Sequence, residues 1–439
     1  MKSFKDNIRI HIILIILLSV VLRIAAGYIV GHKFHPQEWE YEILAKNMIE
    51  KNEFSMNFRE YGVYKAIIAP GYSFIIYTVY KAFGVNPLFM LFFQFVTMTF
   101  LAIIIYQISW IIFKNHMIAF IAGVMAVLHP GILYYSVANI HNFNLYLPLF
   151  YACVLLFCMA LRDHQWKYYI LIGITGGIGI LTRGTILPFL IMGLILCLAY
   201  PFPDRKSFKG RLLKVSIAFI IAIAINVPWT IRNYMVLGKV IYSQSTKWEQ
   251  FWVGNNLEAT GSHYRPDGTT VLSHKPPEMQ KEIDESDSEI KDDEIFRKYS
   301  LRYVQDNPGD FIKGIFKKGV YFWWFNPQTG LFYPKSFLIA YMILYLILLV
   351  FTGAGLWICW KLKLFCMEMV FLFLLVFDIW GVHTLNFMEM RHRWTVEPVL
   401  LIFASVAIYS LAGKIYLNFC NRNKSSNHTD PSHPLKDIL

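Results

Sequence analysis

Apolar positions in this chain gather into long runs, the pattern of helices surrounded by lipid. Ten runs, at 10–30, 87–113, 117–137, 143–161, 168–182, 186–200, 214–231, 336–360, 364–384 and 396–413, approach the roughly 20 residues that cross a hydrocarbon core of about 30 Å. They predict an all-α polytopic membrane protein with a bundle of about ten transmembrane helices. The first run, IHIILIILLSVVLRIAAGYIV, lacks a small-residue cleavage pattern and carries Arg23, so it reads as a retained span. The segment 70–84, PGYSFIIYTVYKAFG, opens on Pro-Gly and contains Lys81. As a helix it reaches only about 22 Å, so it reads as interfacial or re-entrant.

That choice sets the topology. With ten crossings both termini lie on one side, and Lys114, Arg162 with Lys167, the basic cluster at 204–214, Lys361 with Lys363 and the tail all face the cytoplasm. Counting 70–84 as a further span would move Lys114 and Arg162 outside, against the excess of Lys and Arg in cytoplasmic loops. The outer face then holds residues 31–86, the tips near 139–143 and 183–185, the loop 232–335 and the tip 385–395. Residues 1–231 form an N-terminal transmembrane module with 31–86 as an amphipathic first outer loop. Residues 232–335 form an outer loop of about 100 residues, 336–413 the C-terminal transmembrane helices, and 414–439 a cytoplasmic tail of disordered composition. The outer loop contains the turn-rich GNNLEATGSHYRPDGTT and nine carboxylates from Glu278 to Glu294. After them comes IFRKYSLRYVQDNPGDFIKGIFKKGVYFWWF, whose basic and aromatic faces suit a helix at the membrane interface.

Composition agrees with this picture: 56% of the 439 residues are hydrophobic and 16% charged, against about 25% charged in soluble domains. The net charge of +12 sits beside the apolar runs, in PDRKSFKGRLLK, WKLKL and GKIYLNFCNRNK. That distribution fits anchors on an anionic leaflet and argues against nucleic acid as a partner. The six cysteines lie in or beside apolar runs without metal-ligand spacing and read as reduced and structural. TGGIG lies inside an apolar run, where small residues permit close helix packing. With no phosphate-cradling loop and only short cytoplasmic loops, a nucleotide-sugar donor is disfavoured.

Four stretches resemble one family. HPQEWEYEILAKNMIEKNEFS followed by APGYSFIIYTVYKAFG resembles the first outer loop of GT-C-type membrane glycosyltransferases, in particular the protein O-mannosyltransferase and aminoarabinose-transferase-like branch. GITGGIGILTRGTILPF resembles the Gly-rich helix of that family ending in Leu-Thr-Arg. NVPWTIRNYMVLGKVIYSQSTKWEQFWVGNN resembles its Pro-Trp-x-x-Arg-Asn-Tyr … Gly-Asn-Asn stretch, and MRHRWTVEPVLLIFA its Arg-Tyr-Arg … Glu-Pro motif. The resemblance implies a GT-C-like bundle that moves a sugar from a polyprenyl-phosphate carrier to a glycan, lipid or protein acceptor at the outer face.

Such a reaction needs a base and an anion site. Glu38 and Glu40, just beyond the first span, are the candidate catalytic carboxylates, able to take a proton from an acceptor hydroxyl. Both also suit a solvated helix start that complements the helix dipole. Gln37 stands four residues before Tyr41, where the family pattern has its first acid, and Glu38 matches the second. Lys65, Arg183, Arg232, Arg391 and Arg393 are the candidate ligands of the carrier phosphate, Arg232 and Arg393 foremost, because guanidinium forks match phosphate oxygens. Outer-face arginines run against the positive-inside bias, although for any one of them a snorkelling interfacial position or a structural pair with Glu397 or Glu389 would serve as well. Gln37, Tyr41, His141, Asn142, Asn255 and Asn256 are the candidate sugar or acceptor contacts; Asn142 stands near a glutamate of many relatives, and Asn255–Asn256 equally suit a tight turn. The aromatics Trp39, Tyr41, Trp229 and Trp248 suit stacking on a sugar or an isoprene unit as well as an interfacial belt. Within the membrane, Asp378 and Arg23 call for structural hydrogen bonds.

Paired acids near a phosphate leave room for a divalent cation, Mg or Mn, which the altered acid pair makes less expected. The short loops fit a bacterial plasma (inner) membrane. A transporter of lipid-linked saccharides would instead place polar residues along a path through the bilayer in two related halves. A non-catalytic relative within a glycan-assembly complex stays open because of Gln37 and Asn142.

Overall fold

The computed structural model describes residues 2–30, 33–58, 62–200, 208–331 and 334–424. Each of the ten apolar runs is helical. Helix α1 (Lys2–Ile29) leads into α2 (Glu40–Glu50), two short antiparallel strands, β1 (Met56–Asn57) and β2 (Val63–Tyr64), and α3 (Gly71–Phe83). Then follow α4 (Pro87–Phe113), α5 (His116–Leu128), α6 (Pro130–Ala138), α7 (Phe143–Asp163), α8 (Trp166–Thr182), α9 (Ile186–Ala199) and α10 (Phe208–Leu237). The outer segment carries α11 (Lys247–Gly254), α12 (Pro277–Asp284), α13 (Glu289–Asp306) and α14 (Pro308–Trp323). The chain closes with α15 (Lys335–Lys361), α16 (Met367–Leu385), α17 (Met390–Trp394) and α18 (Glu397–Lys424).

Six of these helices are long and apolar enough to cross a membrane, and the bent pair α5–α6 makes a seventh. The chain is an integral membrane protein. Helices α8, α9 and the apolar part of α18 are shorter and pack among the long ones. The segment 70–84 forms the 13-residue α3, too short to span. The fold departs from the expected ranges in two places. The run 117–137 breaks by 47° at His129–Pro130, because proline lacks an N–H and disfavours helix in the residue before it. Helix α18 runs beyond 413 to Lys424, since the Ser-, Asn- and Pro-rich sequence begins only there; the tail 425–439 lies outside the described residues.

Local chemistry fixes the helix ends. Asn86 accepts from Leu88 N at 2.9 Å with Pro87 in the first turn, and Asn115 accepts from Met117 N at 2.9 Å. Helix α7 is the central one, buried along most of its length, whereas α1 and α15 face outward along most of theirs. The glycines of α8 set its two interfaces. A Cβ at Gly173 would lie 2.6 Å from Ala218 O of α10, and one at Gly176 would lie 2.9 Å from Leu190 of α9. This is close helix packing through small residues and not a phosphate loop.

The two ends of the bundle differ in character. At one end Arg162 pairs with Glu368 at 2.6 Å and Lys214 donates to His164 O at 2.6 Å. At the other end the loops are long and layered. There α2 packs on α3, where the Tyr80 hydroxyl donates to buried Glu42 at 2.7 Å. The outer segment has a small core of its own, including Trp252, Val271, Met279 and Phe296, but it closes on Phe387 beyond α16 and so does not stand alone. Helix α14 leaves Ile312, Phe316 and Val320 exposed on one stripe, as an interfacial helix requires.

The nine outer carboxylates split by environment. Most are exposed and pair locally, as Glu282 does with Lys298 at 2.7 Å. Those in the first turns of α13 are clamps. Glu289 accepts from the backbone N–H of Lys65 at 2.8 Å and Ala66 at 3.1 Å, and from the Ser245 hydroxyl at 2.5 Å. Asp292 accepts from the Tyr64 hydroxyl, and Asp293 from Trp248 N at 2.7 Å. The first outer loop is thereby tied to α13 and to the chain entering α11.

Candidate active site

These ties leave a cavity of about 690 Å3 at the long-loop end of the bundle. Its inner wall comes from four places far apart in the sequence. The first outer loop brings Trp39, Glu40 and Tyr41; the α6–α7 connection brings His141 and Asn142; the α8–α9 tip brings Thr182–Thr185; and the α16–α17 region brings His383, Arg391 and His392. The outer wall is the stretch 239–250 together with residues 290–297 of α13.

Backbone pairing positions the inner wall. Gln37 N donates to Ala138 O at 2.8 Å, Ile140 N donates to Gln37 O at 3.3 Å, and the Trp39 indole donates to Asn139 Oδ1 at 3.0 Å. This lays residues 37–41 against 138–141 and stacks His141 edge-on to Trp39 and Tyr41, with ring centroids 5.0 and 5.3 Å apart. Burial, with Arg391 and Arg183 nearby, holds the His141 imidazole well below the usual histidine range. Its Nδ1 accepts from Phe143 N at 3.1 Å, so the neutral ring keeps its proton on Nε2. Burial and the neighbouring His383 likewise hold His392 well below that range, and the two rings stack 3.6 Å apart.

Six of the residues singled out from sequence meet in this cavity: Glu40, Tyr41, His141, Asn142, Arg183 and Arg391. The Glu40 carboxylate has no ion pair or hydrogen-bond partner among the described residues, and neither has the Arg183 guanidinium, which lies over the Tyr146 ring at 5.3 Å. Arg391 pairs with Glu389 at 2.8 Å, donates to the Tyr135 hydroxyl at 3.3 Å and lies over the Trp39 ring at 5.5 Å. Asn142 is held by its Nδ2, which donates to Thr182 O at 3.1 Å.

The remaining site residues fall elsewhere. Glu38 is exposed and paired with Lys46 at 2.7 Å, because one turn of α2 brings that lysine between Glu38 and Glu42. The Gln37 side chain is also exposed, its backbone alone being engaged. Arg393, a leading phosphate candidate, is buried. Its Nε pairs with Glu397 at 2.9 Å, and its guanidinium lies 3.8 and 4.3 Å from the Tyr345 and Phe325 ring centroids. This is the structural pair that the sequence left open. Arg232 donates to Lys65 O at 2.6 Å and Phe54 O at 3.1 Å, bracing the first outer loop, and Lys65 pairs with Glu53 at 2.6 Å. Arg232 also edges a separate apolar groove of about 440 Å3 between Phe54, Phe74, Tyr77 and Trp229. Asn255 and Asn256 form the tight turn. Asn255 Oδ1 accepts from buried Lys318 at 2.8 Å, and Asn256 Oδ1 accepts from Glu258 N at 2.7 Å.

In the membrane, Arg23 donates to Ser19 as expected, but neither Asp378 oxygen has a partner among the described residues. Among the described residues no three His, Cys, Asp or Glu side chains are grouped to hold a metal ion. Glu38, the acid the sequence paired with Glu40, is turned to Lys46. Sequence reasoning missed Lys247, Asp293 and Arg297 of the outer wall, which carry no motif and reach the cavity only through the fold of the outer segment.

The fold resembles that of a solved membrane oligosaccharyltransferase. Over 93% of its length the chain superposes on the crystal structure of the Archaeoglobus fulgidus oligosaccharyltransferase complex with Zn and sulfate, with a TM-score of 0.55 and 14% identity. It covers 50% of that protein and so spans about half its length. Residues 68–231 match the family described as dolichyl-phosphate-mannose-protein mannosyltransferase. ArnT from Cupriavidus metallidurans bound to undecaprenyl phosphate aligns over 90% of this chain and 79% of its own, with 13% identity and a TM-score of 0.41. Comparison with curated proteins gives no match.

Proposed function

We propose that the protein transfers a sugar from a polyprenyl-phosphate carrier to an acceptor at the outer face of the membrane, by a single displacement with inversion. One observation carries this reading: the unpaired Glu40 carboxylate and the unpaired Arg183 guanidinium open into one cavity built by four separate outer segments. An acceptor hydroxyl attacks the anomeric carbon while Glu40 takes its proton. The bond from that carbon to the phosphate oxygen breaks, and the electron pair leaves with the lipid phosphate. Arg183 and Arg391 face the growing charge, where cationic donors in a partly enclosed site stabilise the departing group. Neutral His141 donates from Nε2 to a sugar or acceptor oxygen, and Trp39 and Tyr41 offer faces for a ring. No step is routed through a divalent cation.

The test incubates the purified protein with radiolabelled polyprenyl-phosphate sugars and candidate acceptors. Label is expected on the acceptor with the anomeric configuration inverted. Movement of lipid-linked saccharide across liposomes with no transfer from any donor contradicts the reading.

A further inference from the structure

We infer that the acceptor is an anionic saccharide, bearing phosphate or carboxylate groups, held by Lys247, Trp248 and Arg297 on the outer wall of the cavity; this rests on reading the cavity as a transferase site. Three cations, Lys239, Lys247 and Arg297, line the outer wall beside two acids, Asp293 and Glu294. Lys239 is neutralised by Glu294. No carboxylate lies within ion-pair distance of Lys247 or Arg297 among the described residues. Asp293, the other acid that lines the cavity here, is committed to the first turn of α11, accepting from Trp248 N at 2.7 Å and Glu249 N at 3.4 Å. Burial pushes its carboxyl up to about 6, so at neutral pH it is ionised and offsets part of the nearby Lys247 charge, leaving Arg297 without a carboxylate partner.

The same bonds make the wall rigid. Asp293 and Arg297 stand one turn apart on α13, and Asp293 pins the backbone of Trp248 while the Arg297 guanidinium lies over its ring at 5.7 Å. Phe251 supports the indole edge-on at 5.6 Å. An aromatic face between two unpaired cations meets both parts of a charged sugar polymer, a ring to stack and an anion to bind. A neutral acceptor would leave both cations without a partner, and a basic one would be repelled.

The test uses Glu40→Gln protein in phosphatidylcholine nanodiscs, which binds acceptor without consuming it. Fluorescent oligogalacturonate, phosphomannan and dextran of matched length are titrated at low salt. The charged oligomers are expected to bind about tenfold more tightly than dextran, the effect of two partly exposed charge pairs of about 0.7 kcal/mol each. The difference is expected to vanish in Lys247→Gln/Arg297→Gln protein and at high salt. In otherwise native protein the same double substitution raises the KM for acceptor and not that for donor. Equal binding of dextran, or undiminished binding of charged oligomers by the double variant, overturns the inference while transfer continues. Failure of every polyprenyl-phosphate sugar as donor overturns the transferase reading instead.

Discussion

At the scale of single residues, position and partner separate the two candidate acids, of which the sequence put Glu38 first. Glu38 matched the family pattern better, yet α2 turns it toward Lys46, and Glu40 is the one left unpaired in the cavity. A helix places neighbours two apart on different faces, and no motif reports which face meets the cavity. Asp293 makes a second residue-scale prediction. Its folded carboxyl titrates near 6 against an ordinary 3.8, because burial disfavours the charge. Folding therefore binds extra protons between those values, and this contribution to stability falls as pH rises from about 4 to about 6. Asp293→Asn keeps an acceptor for Trp248 N and removes the ionisation cost. It is expected to be more stable than the parent at pH 7 by about 1–2 kcal/mol, after allowance for solvent screening, and equal to it near pH 3. Thermal unfolding in detergent across that range checks it; an Asn variant destabilised equally at both pH values contradicts it.

Among elements, the buried clamps matter most. Lys318 of α14 donates to Gly254 O at 3.0 Å, Asn255 Oδ1 at 2.8 Å and Asn386 O at 2.9 Å, so one ammonium group ties the end of α11 to the end of α16. The pair is so close that a Cβ on Gly254 would lie 1.6 Å from Asn386 O. Lys318→Met leaves these oxygens unpaired and is expected to cost about 2–4 kcal/mol in unfolding free energy; a loss below about 0.5 kcal/mol would show that water replaces the lysine freely. Glu289 plays the same part between α13 and the first outer loop. Glu289→Ala is expected to expose residues 51–66 to limited proteolysis at concentrations that spare the parent, and an unchanged cleavage pattern counts against the clamp. The helices themselves were legible in the sequence, because lipid contact demands long apolar runs. The clamps were not. Tyr64 and Asp292 stand 228 positions apart, and nine carboxylates in a row of polar sequence look alike until burial sorts them.

On the scale of the whole molecule, four loop segments far apart in sequence line one cavity, and the residues lining it are not all those the sequence put foremost. Glu40, His141, Asn142, Arg183 and Arg391 meet, while Arg393 and Arg232 brace the frame around them. The network of His129, Glu397, Arg393 and Tyr341 joins the α5–α6 bend to α15 and α18, and so holds the segment that presents Arg391. Arginine in both roles carries the same charge and similar spacing, so only burial and partners distinguish them. The central claim is that the Glu40 carboxylate is the base at a cavity where lipid-phosphate cations converge. The most direct measurement compares Glu40→Gln with Glu38→Gln in the radiolabelled transfer assay. Glu40→Gln is expected to lose at least about a hundredfold in turnover, the range of general-base catalysis, with Glu38→Gln within about threefold of the parent. Full turnover by Glu40→Gln, or collapse in Glu38→Gln alone, would contradict the account.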